Sequence, residues 1–448
     1  MSIPADPAVL PAPVLRHSGT GEGRELDIDP ALLLRRLDEI SEFGAEPRSG
    51  GITRTGLSAE ETAARRYLAA RCRGDGLVTQ VDQAANLIVR RAGADPGKPV
   101  VLLGSHLDSV VSGGRLDGTY GVMAACEVVR VLARAGVELP VEPVAIAFTN
   151  EEGAGFPYPF LGSLAVAGNV DTTEAAAVVD GGGRAMSDAL RAAGGDLDTI
   201  GAAAWTPGSI ACYLELHIEQ GPVLEAREIP IGVVDGIIGR TILDITVRGR
   251  QGHAGTTPMA LRRDALPVAA RVVLAVQDLA ERDLCAVGTV GRLDTEPNVT
   301  NVIPGLVELT AEIRDSRPER LRAAELELTG ELARLSAATG VDIEVTIRPV
   351  TEPTATSVPA RDAIAAAAET LGLAHLEMFS SAGHDAQIVS DIAPIGMIFV
   401  PSRDGVSHAP AEHTDDAHLV AGARTLLHSA LRIGSHASHI PSSTTATN

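Results

Sequence analysis

The sequence predicts an α/β protein: a mixed, mostly parallel sheet flanked by helices, interrupted by a smaller α+β domain with an antiparallel sheet and two helices. Three observations carry this. The apolar runs "PVVLLGSH" and "VEPVAIAFTN" enclose the helical pattern "GVMAACEVVRVLARAG", the strand–helix–strand rhythm of a parallel sheet buried on both faces. "TILDITVRG" and "GLVELTAEIRD" instead alternate apolar and polar residues, as strands do when one face is buried and one is wet. Near the end, "APIGMIFVP" returns to an unbroken apolar run, so the first domain resumes after the second.

Taken in order, Asp29-Pro30 offers an N-cap and a first-turn proline for a helix through "ALLLRRLDEI", since proline gives up a donor that is unpaired there anyway. Ser58 opens a second helix, "SAEETAARRYLAARC", with Glu61 three residues on as its capping-box partner. The helix after the first strong strand stops at Gly136. In the smaller domain, Leu243, Ile245 and Val247 share one strand face, and Val307, Leu309, Ala311 and Ile313 share another. One helix there starts at Asp264, a second runs through "SRPERLRAAELELTGELARLSAATG" to its glycine, and "VDIEVTIRPV" is the last strand. "TEPTATSVP" reads as a linker. The expected boundaries are a larger domain over 26–237 and 351–437, a smaller one over 238–350, and disordered tails at 1–25 and 438–448.

A length of 448 residues is long for one core, which agrees with two domains. With 58 acidic against 37 basic residues and a net charge of -21, no nucleic-acid or anionic-membrane partner is expected. The four cysteines form no CxxC pair and read as buried free thiols. The N-terminal stretch has prolines and lacks a basic start, which is wrong for a signal peptide, and nothing reaches the roughly 20 apolar residues of a membrane span. A cytoplasmic protein is expected.

Chemistry-bearing residues gather at the apparent strand ends. "GSHLDSV" holds His106 and Asp108, which point the same way on an extended segment. Asp117 lies in the glycine-rich "GGRLDGTYG", where a turn or N-cap role is also open. "FTNEEGAGF" sets Glu151 beside Glu152, either a solvated pair or a division of labour in which one binds a cation and the other moves protons. His217 in "YLELHIEQGP" and His408 in "GVSHAPAEHT" complete the set. Nitrogen and carboxylate ligands without thiolate suit Zn²⁺, Mn²⁺, Co²⁺ or Ni²⁺, and five such ligands sharing one bridging carboxylate describe a two-metal hydrolase.

The ordered series "GSHLDSV", "GGRLDG", "FTNEEG", "LHIEQGP", "GHAGTTPM", "NVIPG", "GHDA" and "SHAPAE", in a stretch running from about "GGITR" at 50 to "AEHT" at 414, resembles the amidase, hydantoinase and carbamoylase family of binuclear metallohydrolases, relatives of aminoacylases and carboxypeptidase G. The resemblance implies two divalent ions per subunit, bridged by Asp117, one also taking His106 and His217 and the other Glu152 and His408. It further implies Glu151 as general base, Asp108 as the carboxylate orienting His106, and His253 as stabiliser of the substrate's oxyanion. Gln220, Asn301 and Arg314 would bind the substrate, with Gly383 and His384 in "SAGHDA" lining the site. The implied reaction is hydrolysis of an N-carbamoyl-L-amino acid to the amino acid, ammonia and carbon dioxide. Allantoate or 3-ureidopropionate are the alternatives, followed by dipeptides or acyl amino acids. The smaller domain would act as a lid and pair two subunits, with His253 reaching toward the partner. Two departures bear on substrate preference: Gly155 stands where relatives commonly carry arginine, and Ser381 gives "SSAGHDA" where they commonly read "SGAGHDA".

Overall fold

A computed structural model describes residues 26–95, 97–348 and 350–436; the tails expected at 1–25 and 438–448 lie outside the described residues. The chain divides into two units. The larger takes the described residues up to Asp235, then Thr356–Met378 and those from His384 on, and the smaller takes Gly236–Ala355 with Phe379–Gly383. That last short segment joins the smaller unit through backbone: Ile238 N–H donates to the Ser380 carbonyl at 2.8 Å.

Both early helices start where their caps dictate. Asp29 Oδ1 accepts the Leu32 N–H at the head of α1 (Pro30–Ser41), and Ser58 Oγ accepts the Glu61 N–H at the head of α2 (Ala59–Gly74), each at 3.0 Å. Glu61 does not close the expected capping box. Its carboxylate pairs with Arg65 one turn on, and the Ser58 N–H goes to the Thr55 carbonyl instead. Arg65 is buried, and a buried guanidinium is costly without a carboxylate partner, whereas the Ser58 N–H already has the Thr55 carbonyl.

The strands, in chain order, are β1 (Leu77–Val81), β2 (Leu87–Arg91), β3 (Val100–His106), β4 (Glu142–Phe148), β5 (Ile210–Ile218), β6 (Ile231–Ile237), β7 (Gly239–Arg248), β8 (Gly252–His253), β9 (Val287–Glu296), β10 (Val302–Ile303), β11 (Leu306–Asp315), β12 (Asp342–Ile347), β13 (Thr354–Ala355), β14 (His375–Ser380) and β15 (Ile395–Val400). The large sheet runs β1-β2-β4-β3-β5-β15-β6. Its centre, β4-β3-β5-β15, is parallel, and the flanking pairs are antiparallel. β3, β4 and β15 are buried at each residue, as their unbroken apolar runs require. Helix α3 (Thr119–Arg134) packs on β3, β4 and β5 and is itself covered by α1 and the helix Asp416–His436. It is therefore buried nearly all round, and its Glu127 and Arg130 pair within it at 2.6 Å.

In the smaller unit the sheet order is β12-β7-β11-β9, antiparallel throughout. The faces anticipated on β7 and β11 are buried against the helices Ala265–Glu281 and Pro318–Thr339. Gly340 ends the second helix with φ +66°, a conformation that favours glycine. β9 was not legible in the sequence, because this edge strand is mostly exposed and its residues carry no clear alternation. "TEPTATSVP", read as a linker, contains β13, which pairs Thr354 and Ala355 with Ile237 and Gly236.

Candidate metal centre

Apart from Asp117, the candidate ligands of the larger unit sit at or just after the ends of parallel strands. His106 is the last residue of β3 and His217 the penultimate one of β5, while Glu151, Glu152 and His408 lie in the segments after β4 and β15. The register sets His106 beside Phe148 and Phe399 beside His217, so these strand ends open onto one place. Asp117 reaches it from the turn before α3.

Asp117 stands at the centre. Its Oδ1 lies 3.5 Å from His106 Nε2 and 3.2 Å from His217 Nε2, and its Oδ2 lies 3.3 Å from His408 Nε2. Glu152 Oε1 is also 3.3 Å from His408 Nε2. The ligand atoms form overlapping groups: His106, Asp117 and His217; Asp117, Glu152 and His408; and His106, Glu151 and Glu152. All five residues expected to hold metal are thus brought together, with one carboxylate oxygen of Asp117 facing each side.

Hydrogen bonding makes this a place for a cation. His217 Nδ1 faces the Ile218 carbonyl oxygen at 2.9 Å, and the Gly118 N–H donates to Nε2 at 3.0 Å. A carbonyl only accepts, so Nδ1 carries the proton and Nε2 presents a lone pair. His106 Nδ1 likewise faces the Asp108 carbonyl at 2.9 Å. Two imidazole nitrogens without a proton then lie within 3.5 Å of the same carboxylate oxygen, which repels unless a cation or added protons lie between. Glu152 Oε1 is buried and receives no hydrogen bond, so the donor set fits a divalent metal ion.

The charges tell the same story. Burial pulls the His106 imidazole down, but Glu151, Asp117 and Asp108 outweigh it and hold it well above its ordinary value. Burial raises Asp117, yet His106, His217 and His408 reverse that and hold it well below. Glu151 behaves differently: burial pushes its carboxyl well above the usual range, with His106 opposing and Glu152, Asp385 and Asp108 adding to the rise.

Asp108 departs from expectation. Its carboxylate is 3.8 Å from His106 Nδ1, beyond hydrogen-bond reach, and the ring is held by the Asp108 backbone carbonyl. Its two oxygens accept the N–H groups of Glu151 and Glu152, each at 3.1 Å. Past the strand end the chain turns, so the same-face rule for residues i and i+2 no longer applies. The glutamate loop is shaped further by Asn150, at φ +53°, whose amide donates to the Phe156 and Tyr158 carbonyls at 3.1 and 2.8 Å. Gly155 sits close to the chain at Thr55-Gly56: a Cβ there would lie 2.9 Å from the Gly56 carbonyl oxygen, so a side chain at this position requires the loop to shift.

Gln220, expected on the substrate, donates from Nε2 to Asp117 Oδ2 at 2.8 Å, while its buried Oε1 receives no hydrogen bond. His384 meets the His217 ring edge-on, 4.7 Å between centroids. Burial, with His217 and His106 beside it, holds it well below its ordinary value and so neutral. Gly383, the residue before it, belongs to the smaller unit, as do His253, Asn301 and Arg314. His253 Nδ1 accepts the Gly255 and Thr256 N–H groups, both at 3.1 Å, which leaves its Nε2–H as a donor. The Asn301 carbonyl accepts the Ala254 N–H at 3.0 Å, placing Asn301 beside the His253 loop. Arg314 pairs with Glu312 and donates to the Ser381 carbonyl.

The sequence of residues 102–432 matches the model of Peptidase family M20/M25/M40. The chain belongs to this family. The M20/M25/M40 span takes in every candidate ligand, whereas α1, α2, β1 and β2 precede it. An N-carbamoyl-L-amino acid amidohydrolase of Geobacillus stearothermophilus is 41% identical over 404 residues, covering 88% of this chain and 96% of that protein. The allantoate amidohydrolase of Escherichia coli K12 is 36% identical, with 87% and 94% covered. A hydantoinase/carbamoylase family amidase from Burkholderia multivorans superposes with a TM-score of 0.85 at 34% identity, over 91% of this chain and 98% of that one. The family resemblance and fold class expected from the sequence are borne out.

Two residues of the M20/M25/M40 span had been given no role. Glu412 Oε1 accepts the N–H groups of Leu116 and Asp117 at 2.8 and 3.1 Å, and Ser407 Oγ bonds both Glu412 Oε2 at 3.2 Å and Asp117 Oδ2 at 2.9 Å. Both lie inside the "SHAPAE" stretch around His408. Only tertiary contact reveals that they brace Asp117, almost 300 residues earlier.

Proposed function

We propose that the protein is a metal-dependent amidohydrolase that cleaves the ureido C–N bond of an N-carbamoyl-L-amino acid, releasing the amino acid, ammonia and carbon dioxide. The observation that carries the metal-dependent hydrolysis is Asp117 between His106 and His217 on one side and His408 with Glu152 on the other, with Glu151 alongside; the substrate follows the similarity to an N-carbamoyl-L-amino acid amidohydrolase.

His106, His217 and Asp117 would hold one divalent ion, and Asp117, Glu152 and His408 a second, of the Zn²⁺, Mn²⁺, Co²⁺ or Ni²⁺ class. Such ions polarise the ureido carbonyl and lower the pKa of water. Glu151 takes the proton from the attacking water and returns it to the departing nitrogen; burial raises its carboxyl, which favours holding the proton between the two transfers. His253 offers its Nε2–H to the oxygen that becomes negative in the tetrahedral state. Asn301 and Arg314 bind the substrate carboxylate, and Gln220 and His384, with Gly383, line the site. The smaller unit serves as lid and as the pairing surface of a homodimer; β9, at the edge of its sheet, suits pairing with a second copy. Four buried free cysteines suit a cytoplasmic protein, and no helix among the described residues is long and apolar enough to cross a membrane.

Allantoate is the second candidate substrate, on the strength of the allantoate amidohydrolase similarity. Ammonia release by the Mn²⁺-loaded protein, measured across N-carbamoyl-L-amino acids, allantoate, 3-ureidopropionate, acyl amino acids and dipeptides, separates these readings. A clear preference for carbamoyl amino acids is expected, and preference for any other class replaces the substrate named here.

A further inference from the structure

"GGITR", at the start of the family resemblance, has no part in the metal set, yet the structure builds it against the segment that joins His106 to Asp117. Ile52 and Gly113 exchange backbone hydrogen bonds at 3.0 and 2.8 Å, and the Ser109 N–H donates to the Arg54 carbonyl at 2.9 Å. Ser109 Oγ accepts the Arg54 N–H at 3.0 Å, and Thr53 Oγ1 accepts the Ser112 N–H at 2.8 Å. The approach is close enough that a Cβ on Gly51 would stand 2.8 Å from Ser112 Oγ and 2.9 Å from its carbonyl.

The Arg54 side chain is 1% exposed. Its Nε donates to the Leu107 carbonyl at 2.7 Å, Nη2 to Thr119 Oγ1 at 2.6 Å, and Nη1 to the carbonyls of Ile40 and Phe43 at 3.1 and 3.0 Å. None of these bonds goes to a carboxylate, an unusual and costly way to bury a cation. Two features offset the cost. The Ile40 carbonyl belongs to the last turn of α1, the negative end of its dipole, and Phe43 lies in the turn just after that helix. Glu61 and Asp108 act on the guanidinium at longer range; burial lowers it only to about 10, so it stays charged at neutral pH.

Leu107 follows one proposed ligand directly, and Thr119 lies two residues beyond another. We infer that Arg54 is a positioning residue of the metal centre, a planar spacer that holds the end of β3 and the start of α3 so that His106 and Asp117 face one ion. The inference rests on the metal-centre reading above. The fork is what matters: a guanidinium spans two acceptors at fixed geometry, and an ammonium of the same charge does not.

The test compares wild type, Arg54→Lys and Thr119→Val, each freed of metal and titrated with Co²⁺ while heat and visible absorption are recorded. Both variants are expected to bind Co²⁺ about 10- to 100-fold more weakly, with an altered spectrum, and to lose kcat with KM little changed. Their melting temperatures should fall more in the Co²⁺-loaded than in the metal-free state. Wild-type affinity and spectrum in both variants overturn the inference, as does an equal loss of melting temperature with and without metal. If Arg54→Lys does not fold, Thr119→Val decides alone, since valine matches threonine in shape and removes only the Nη2 acceptor. Wild-type protein that takes up no Co²⁺ removes the metal-centre reading and this inference together, whereas binding by wild type with unaltered variants removes only the inference.

Discussion

Asp108 holds the backbone of both glutamates, and this sets what single substitutions should do. In Asp108→Asn one of the two acceptors becomes an NH₂ facing an N–H, so Glu151 or Glu152 loses its anchor. A fall in kcat of about 100-fold is expected, in the range seen when a supporting contact at a metal site is lost, with a lower melting temperature; steady-state kinetics and thermal unfolding check it. Glu151→Gln should behave otherwise. The amide keeps the size of the side chain but cannot take a proton, so turnover should drop about 1,000-fold while elemental analysis still finds wild-type metal content. Unchanged turnover removes the base assignment. The nature of these residues was legible in the sequence, because "FTNEEG" and "GSHLDSV" carry them. The direction of the Asp108 carboxylate was not, because it depends on a turn after the strand that pattern alone does not specify.

At the scale of the element, strand ends and helix starts place the ligands, and glycines allow the elements to meet. Gly118, at φ +61°, begins α3 with its Cα against the His106 ring; a Cβ would lie 2.4 Å from that ring. Gly118→Ala should therefore displace His106 or unwind the first turn of α3, and equilibrium titration with Mn²⁺ should show at least a 10-fold loss of affinity. Gly340→Ala serves as the contrast. It places a side chain at φ +66° at the end of the helix Pro318–Thr339, which should cost about 1 kcal/mol of stability in denaturant unfolding and leave metal affinity as in wild type. The helices at Pro30, Ala59, Thr119, Ala265 and Pro318 and the buried strands β3, β4 and β15 were readable from caps and periodicity, whereas the short helices between Leu161 and Ala226 and the strand β6 were not. β9 was not, because an exposed edge strand has no apolar face to announce it. The Glu61 capping box failed because buried Arg65 offered its carboxylate a stronger partner.

For the whole molecule, the proposed metal centre is a concentration of carboxylates that a cation or bound protons can balance. Removing metal with a chelator should lower the melting temperature, and added Mn²⁺ or Zn²⁺ should restore it; at 100 times Kd the gain is about 2.7 kcal/mol. Equal melting with and without metal in calorimetry would contradict the centre. The proposed ligands come from stretches between residues 106 and 408, and they meet because β3, β4, β5 and β15 are neighbours with their ends aligned. By itself the sequence determined the fold class, the helix starts, the alternating faces of β7 and β11, and the residues with metal-binding chemistry, since all of these follow from local spacing and side-chain type. Only the tertiary structure decided that Asp117 turns one oxygen to each side, that Ser407 and Glu412 brace it, and that Arg54 is buried beneath the loop between His106 and Asp117. Those are contacts between segments far apart in the chain, and their geometry exists only once the sheet has assembled.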